Sequence, residues 1–307
     1  MPDITDGRPL IFGEVLFDAF PDGSVVLGGA PFNVAWHLRG FGLDPLLISR
    51  IGHDPLGERV LTTMSGWEMD TAGVQTDPGH MTGTVSVTLR NGQPDYEIVP
   101  DQAWDHIAAA AALIATRAVP VALIYHGTLA LRAGTSGEAL QRLRDALSAP
   151  VCIDINLRPP WSAHEHLPAL LQGAGWVKLN DAELETLIGE PLSSEFDLEC
   201  ASEVLRRHYA IGTLLITRGA SGAMVIGEEG IYHGAPAPVT TLIDTVGAGD
   251  AFSAVALIGL MRGWPAQTML ERALRFASDI CAQRGATAAD RALYARHRGQ
   301  WESDEQA

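Results

Sequence analysis

Apolar and polar positions along this chain follow two periods, and their order predicts most of its elements. Residues 10–20 form an apolar run that reads as a first strand passing into an extended segment, with Glu14 and Asp18 set within it. Pro21-Asp22-Gly23 is a turn, and 25–27 is a short strand. Gly28-Gly29-Ala30-Pro31 leads into a helix over about 32–39, with Pro31 suited to its first turn and Gly40 or Gly42 to its end. A strand at 46–51 and a helix at 55–64 follow. The stretch 82–90 alternates like a strand with one wet face, Asn91-Gly92 is a hairpin signal, and 94–99 runs back. With 25–27 this predicts a small sheet apart from the main one.

Beyond it, helix and strand alternate. Helices are expected at 106–116, 136–147, 163–171, 181–188 and 197–208, and strands at 121–125, 151–155, 175–179 and 213–217. A hairpin over 223–232 breaks at Glu228-Glu229-Gly230, and a β-like run covers 238–243. Two long helices, about 251–261 and 266–284, close the fold, and the polar tail 298–307 is expected to fray. This alternation predicts an α/β fold with a mostly parallel sheet and helices on both faces. The chain reads as one domain over 1–307, with a β lid from roughly 15–27 and 82–99.

Composition narrows the function. A formal net charge of −16 argues against nucleic acid or an anionic membrane as partner. It leaves ATP open, because local N–H groups, a few arginines and metal ions bind phosphate on an acidic protein. Cys152, Cys200 and Cys281 are far apart and lack metal-site spacing, which fits buried thiols in a reducing cytoplasm. The polar, acidic start at 1–9 is not expected to act as a signal peptide, and no apolar run reaches the ~20 residues of a membrane span. Lys178 is the only lysine, with no glycine-rich loop before it, so a P-loop is excluded. Gly247-Ala248-Gly249 lacks the third glycine of a dinucleotide fingerprint and comes late in the chain, which argues against an oxidoreductase.

The chemistry concentrates at one stretch, Asp244-Thr245-Val246-Gly247-Ala248-Gly249-Asp250-Ala251-Phe252. Small residues before a helix let backbone approach a ligand, and the unpaired N–H groups of a first helical turn make an anion site. An acid in that turn, Asp250, repels an anion. It makes sense as a base taking a proton from a hydroxyl while the N–H groups hold developing phosphoryl charge. A capped helix start with an N-terminal Asp accounts for the same residues if they are taken alone. Polar residues also follow the earlier strands: Asp154, Asn156 and Arg158 after one, Asn180 and Glu183 after the next, then Thr217, Gly219 and Gly222. Ligands of open parallel sheets bind at such carboxyl ends.

Two of these patterns resemble the signatures of the ribokinase-like, or phosphofructokinase-B-type, carbohydrate kinases. Asp244 to Phe252 looks like the C-terminal signature. Gly28-Gly29-Ala30-Pro31-Phe32-Asn33-Val34-Ala35, followed by Gly42 and Gly52, looks like the N-terminal one. Val255 departs from the usual Ala or Gly, a packing variation within a helix. The resemblance implies a ribokinase-like three-layer sandwich and a cytoplasmic, ATP-dependent kinase of a sugar hydroxymethyl group, acting with Mg2+. In it Asp250 would be the base and the N–H groups of Gly247, Ala248 and Gly249 the anion hole. Asn180 and Glu183 match an Asn-x-x-Glu motif that positions metal-bound phosphate, with Glu183 reaching Mg2+ through water. Thr217, Gly219 and Gly222 match a nucleotide loop, with Arg218 where Leu is frequent, and Ser278 falls near the adenosine pocket. Asp244 is placed like the carboxylate of a monovalent-cation site that K+ would fill, with Gly285 as a backbone neighbour, although not all members use one.

For the sugar, Asp18, Asn33, Gly28 and Gly29 form the expected contacts. The hairpin would act as a lid that brings Tyr96 near the substrate, and an ordinary surface hairpin is an equal account of Tyr96. Gly13 to Asp18 looks more like the opening of fructokinases than of ribokinases. Asp154-Ile155-Asn156-Leu157-Arg158 is similar to an element of fructokinases and ketodeoxygluconate kinases, and assigns Asn156 and Arg158 to substrate or transferred phosphate. Few cations stand in the motif segments, which favours a neutral sugar, fructose. Ketodeoxygluconate, ribokinase-type and nucleoside kinases are the alternatives within the class, and a catalytically silent sugar- or nucleotide-binding regulator is the alternative outside it. Lid strands in this family can pair between subunits, which would give a homodimer.

Overall fold

The computed structural model describes residues 7–90, 93–117, 119–161, 167–239 and 241–306. The first apolar run is two strands. β1 (Arg8–Phe12) lies in the main sheet, and after a break at 13–15 β2 (Leu16–Ala19) joins a second sheet with β3 (Val25–Gly28). Helix α1 (Ala30–Gly40) follows, then β4 (Leu46–Gly52), α2 (Pro55–Gly66) and β5 (Val74–Asp77), a polar edge strand that the pattern did not predict. Strands β6 (Gly83–Arg90) and β7 (Gln93–Ile98) form the expected antiparallel pair, while its Asn91-Gly92 turn lies outside the described residues. A short 3-10 turn at Ala103–His106 precedes α3 (Ala109–Thr116), so that helix starts later than its apolar content suggested.

The chain then runs through β8 (Val121–His126), α4 (Gly134–Ala146), β9 (Val151–Asp154), α5 (Leu167–Leu171), β10 (Trp176–Asn180), α6 (Asp181–Ile188), α7 (Glu195–His208), β11 (Thr213–Thr217) and the hairpin β12 (Ala223–Gly227) and β13 (Gly230–Gly234). It ends in α8 (Ala248–Arg262), α9 (Ala266–Cys281) and α10 (Arg291–Gln306). Of the helix expected at 163–171, residues 162–166 lie outside the described set.

The main sheet has the order β13-β12-β11-β10-β9-β8-β1-β4-β5. It is parallel from β11 to β5, with the antiparallel hairpin on one edge. Its inner strands are apolar without alternation because both faces are covered. On β1, Ile11 joins the core with Phe32, Phe41, Leu257 and Phe276, while Leu10 and Phe12 join the opposite core with Ala112, Leu140 and Leu143. The small sheet, β3-β2-β6-β7, is antiparallel except between β2 and β6. This is the ribokinase-like arrangement of a three-layer main body and a small second sheet.

Three expectations fail. The β-like run 238–243 is not a strand among its described residues. Leu242 and Ile243 are exposed, and the N–H of Ile243 donates to Cys281 O at 2.9 Å, so the run leaves the sheet and is tied to the end of α9. The tail does not fray: α10 buries Trp301 to 2 % exposure, Trp301 stacks on Phe41, and Glu305 pairs with Arg272 at 2.8 Å. The cysteines are free, but only Cys152 is buried and Cys200 is exposed. No helix among the described residues is long and apolar enough to cross a membrane.

Candidate functional site

The crossing between the two sheets builds one side of the site. Gly29, at the start of α1, has φ 106°, and a Cβ there would lie 2.7 Å from Glu14 O. The break between β1 and β2 therefore packs directly on the entry to α1. Gly29→Ala should cost about 1–3 kcal/mol through left-handed strain and that clash, read as a lowered Tm with cooperative unfolding preserved. The packing directs Asn33 into the hollow, where its Nδ2 donates to Asp250 Oδ2 at 2.8 Å. A side chain at Gly28 would stand 4.0 Å from both Asn33 Oδ1 and Asp18 Oδ2, so Asp18, Gly28, Asn33 and Asp250 share one hollow. Two buried acceptors have no partner there, Asn33 Oδ1 and Glu14 Oε2. Buried polar atoms are normally satisfied, so this pair suits a ligand rich in hydroxyls.

The helix start builds the other side. Gly247 caps α8 with φ 79°, and a Cβ there would lie 2.4 Å from Ala286, so only glycine fits. Its carbonyl accepts the first helical N–H, from Ala251, at 2.9 Å. The N–H groups of Gly249 and Asp250 thus precede the helical ladder, while that of Ala248 reaches back to Thr245 O at 3.3 Å. The carboxylate of Asp250 is in the same turn and is partly exposed. Burial pushes it up from an ordinary value of 3.8 to about 6, against the lowering effects of the Asn33 hydrogen bond and of Lys178. Burial likewise raises Glu14 to about 7, opposed by its own backbone N–H and by Arg158.

Beneath α8 lies a pair that sequence reading left without a role. Lys178 Nζ contacts Asp154 at 2.9 and 3.1 Å, and Asp154 Oδ2 also accepts from Tyr125 at 3.0 Å and Ser253 at 2.9 Å. Burial works against the charge on Lys178, but Asp154 holds its pKa above the ordinary lysine value. A Cβ on Gly249 would stand 3.3 Å from Lys178 Nζ, so this ammonium reinforces the positive end of α8. The one local signal was that Lys178 and Asn180 share a face of β10, two residues apart, which does not point to Asp154 as the partner.

Asn180 caps α6, accepting from Glu183 N at 2.8 Å, while Glu183 accepts from Asn180 N at 2.8 Å and from Leu157 N at 2.7 Å. Both Glu183 oxygens are thus engaged with backbone, and their remaining lone pairs suit a metal held through water rather than directly. Burial raises the pKa of Glu183. The cap draws the 155–158 segment to α6; in it Asn156 has a left-handed φ of 41° and Arg158 is exposed. Thr217 ends β11, and Gly219 and Gly222 shape the turn after it, where Arg218 N donates to Gly222 O at 2.8 Å. Ser278 is buried on α9. Asp244 accepts from Val246 N and Gly285 N, each at 3.0 Å, which brings together the two segments named for a cation. The side chain of Tyr96 lies outside the described residues.

Comparisons with known proteins place the chain in a family and its fold among solved structures. A fructokinase of Escherichia coli is 30 % identical over 298 residues, covering 91 % of this chain and 92 % of its own. A solved fructokinase of Xylella fastidiosa with bound ATP superposes with a TM-score of 0.81 at 19 % identity, over 96 % of this chain and 99 % of its own. An Arabidopsis thaliana ribokinase complexed with ribose and ATP gives 0.79 at 19 % identity, over 95 % and 98 %. The model of the pfkB family carbohydrate kinases matches residues 11–292, and the chain belongs to that family.

Proposed function

We propose that this protein is an ATP-dependent fructokinase, converting ATP and D-fructose to ADP and fructose 6-phosphate. The observation that carries it is the Asn33–Asp250 hydrogen bond of 2.8 Å, which joins the two signature motifs at the head of α8. Asp250 takes the proton of the attacking hydroxyl. Asn33 orients that carboxylate and, through Oδ1, a neighbouring hydroxyl of the sugar. Asp18 and the backbone of Gly28 and Gly29 complete the sugar contacts, with Asn156 and Arg158 approaching from the opposite side. The first-turn N–H groups of α8 and the Lys178 ammonium stabilise charge on the transferred phosphoryl group, which asks the protein for positioning more than covalent chemistry.

Thr217, Gly219 and Gly222 shape the nucleotide loop, with Asn180 beside it and Ser278 behind the adenosine. Bound magnesium would neutralise the phosphates, with Glu183 holding it through water. Asp244, with the backbone around Gly285, would hold K+. The small sheet closes over the sugar and excludes water, and pairing of its strands between two copies would make a homodimer.

Fructose is preferred over an acid sugar because Arg218 is drawn to Glu195 at 3.6 Å and Arg132 is held by Asp105 at 2.7 Å. Among the arginines of these segments whose side chains are described, Arg158 stands without an acidic partner, and one guanidinium serves the transferred phosphate. The resemblance to the E. coli fructokinase supports the same choice. A panel of fructose, ribose, glucose, ketodeoxygluconate and adenosine with ATP and Mg2+ tests it. Fructose should give the highest kcat/KM. Preference for ribose would move the assignment to a ribokinase-type enzyme. Tight ATP binding with no turnover on any of the five would make the protein a regulator.

A further inference from the structure

Two imidazoles and a carboxylate meet away from the kinase site, on the connections that carry β6 and β7. His80 lies on the connection into β6, and Asp101 and His106 lie on the connection out of β7. His106 Nε2 is 2.8 Å from Asp101 Oδ1, and His80 Nε2 is 3.7 Å from the same oxygen. The two rings stack with centroids 3.7 Å apart and planes 16° apart. One ligand atom from each residue falls within 4.8 Å of the others. We propose that His80, Asp101 and His106 form a binding site for a late first-row transition-metal ion of the Zn2+ class, which ties the two connections of the small sheet together.

The argument rests on donor chemistry and on the support behind the donors. Bonds of about 2.0–2.1 Å in a tetrahedron put neighbouring ligand atoms about 3.3 Å apart, between the two separations to Asp101 Oδ1. The two stacked rings must turn apart so that their Nε2 lone pairs converge on the ion, and the exposed Asp101 carboxylate turns with them. Two imidazoles and one carboxylate, with the fourth position open to water, suit Zn2+ and its neighbours and not Mg2+, which prefers oxygen.

The supporting residues are already in place. His80 Nδ1 lies 3.1 Å from Asp77 Oδ2 without forming a hydrogen bond, so a turn of the ring that lets Nδ1 donate there leaves Nε2 free for the cluster. Asp77 is 4 % exposed and is gripped by Arg50 Nε at 2.8 Å. The same arginine donates from a second nitrogen to His106 O at 2.6 Å, so one guanidinium braces both histidines. On binding, the metal takes the place of the proton between His106 Nε2 and Asp101 Oδ1; the neutral ring then carries its one proton on Nδ1, and only a ring protonated at both nitrogens releases a proton to solvent. A second cluster, Glu195, Glu199 and His233, lacks this feature: both ring nitrogens of His233 already face carboxylates, at 3.0 and 2.9 Å.

The test uses the full chain freed of metal by a chelator, then titrated with Zn2+ in excess Mg2+ and followed by thermal unfolding, with Co2+ absorption as an independent reading. Zinc at about 100-fold its Kd should raise Tm by about 5 °C, and Co2+ should give the intense visible bands of a low-symmetry nitrogen-containing site. The pair His80→Ala and His106→Ala should lose both responses, while His233→Ala keeps them. No zinc response in the natural chain, or a response of equal size in the paired variant, overturns the proposal. So does loss of the response in His233→Ala alone.

Discussion

Asp250→Asn should lose about 10²–10⁴-fold in kcat, with sugar and ATP affinity largely kept, because the amide cannot take the hydroxyl proton while its oxygen can still accept from Asn33. Rates of the natural enzyme supply a second test. With Asp250 raised to about 6, kcat/KM should fall as pH drops through that value, since protonation removes the base. Stability runs the other way. The folded carboxyl binds its proton more tightly than the unfolded one, whose value is near 3.8. Its folded state is therefore favoured at low pH and loses stability as pH rises from about 4 to about 6. A displacement of that size is worth at most about 3 kcal/mol, less the solvation that reaches Asp250 through its exposed part. Asp250→Asn removes this penalty, so at pH 8 the inactive variant should melt no lower than the natural protein, and higher if the penalty is fully felt. Turnover that survives the substitution would refute the base. A melting point several degrees lower would show that burial does not disfavour this carboxylate.

The layers of the fold were legible because both-face burial writes itself into sequence as apolar runs, and the two signatures placed Asn33 and Asp250 before any coordinates. What stayed hidden was hidden for physical reasons. β5 is a four-residue polar edge strand held by its ladder to β4, and a single apolar residue, Val74, packs on the core, too little to advertise it. α10 is polar on average and is anchored by a few side chains, Tyr294 and Trp301 above all, against Phe41 and Phe276, which arrive from α1 and α9. The run 10–20 is unbroken in hydropathy, yet it changes sheets at Glu14, because a buried strand and a buried crossing look alike. The run 238–243 has strand-like residues, but its backbone is tied to the end of α9, where Cys281 O accepts from Ile243 N, and not to a strand. Within the site, motif spacing located the capping pair Asn180–Glu183, whereas Lys178 looked idle. Its role depends on the register of β9 beside β10, which aligns Lys178 with Asp154, and no local pattern encodes that alignment.

That pairing carries the other large expectation. Lys178→Met leaves Asp154, 2 % exposed, with two hydroxyl donors and no cation. Removing one partner of a buried ion pair costs about 3–5 kcal/mol, which for a chain of this size lowers Tm by about 5–8 °C. The loss should be recovered in large part by adding Asp154→Asn, because the second change removes the stranded charge and keeps an acceptor for Tyr125 and Ser253. A double-mutant cycle measures this directly, with a coupling energy above about 1 kcal/mol expected for groups in contact. The paired variant also separates stability from catalysis. It restores the fold but lacks the ammonium beside Gly249, so its kcat should stay low while its Tm recovers. If kcat and Tm recover together, Lys178 acts only through the integrity of the sheet beneath α8. If kcat alone stays down, the positive charge under the helix start belongs to the phosphoryl-transfer machinery, and the sheet's single lysine is held by Asp154 to serve it.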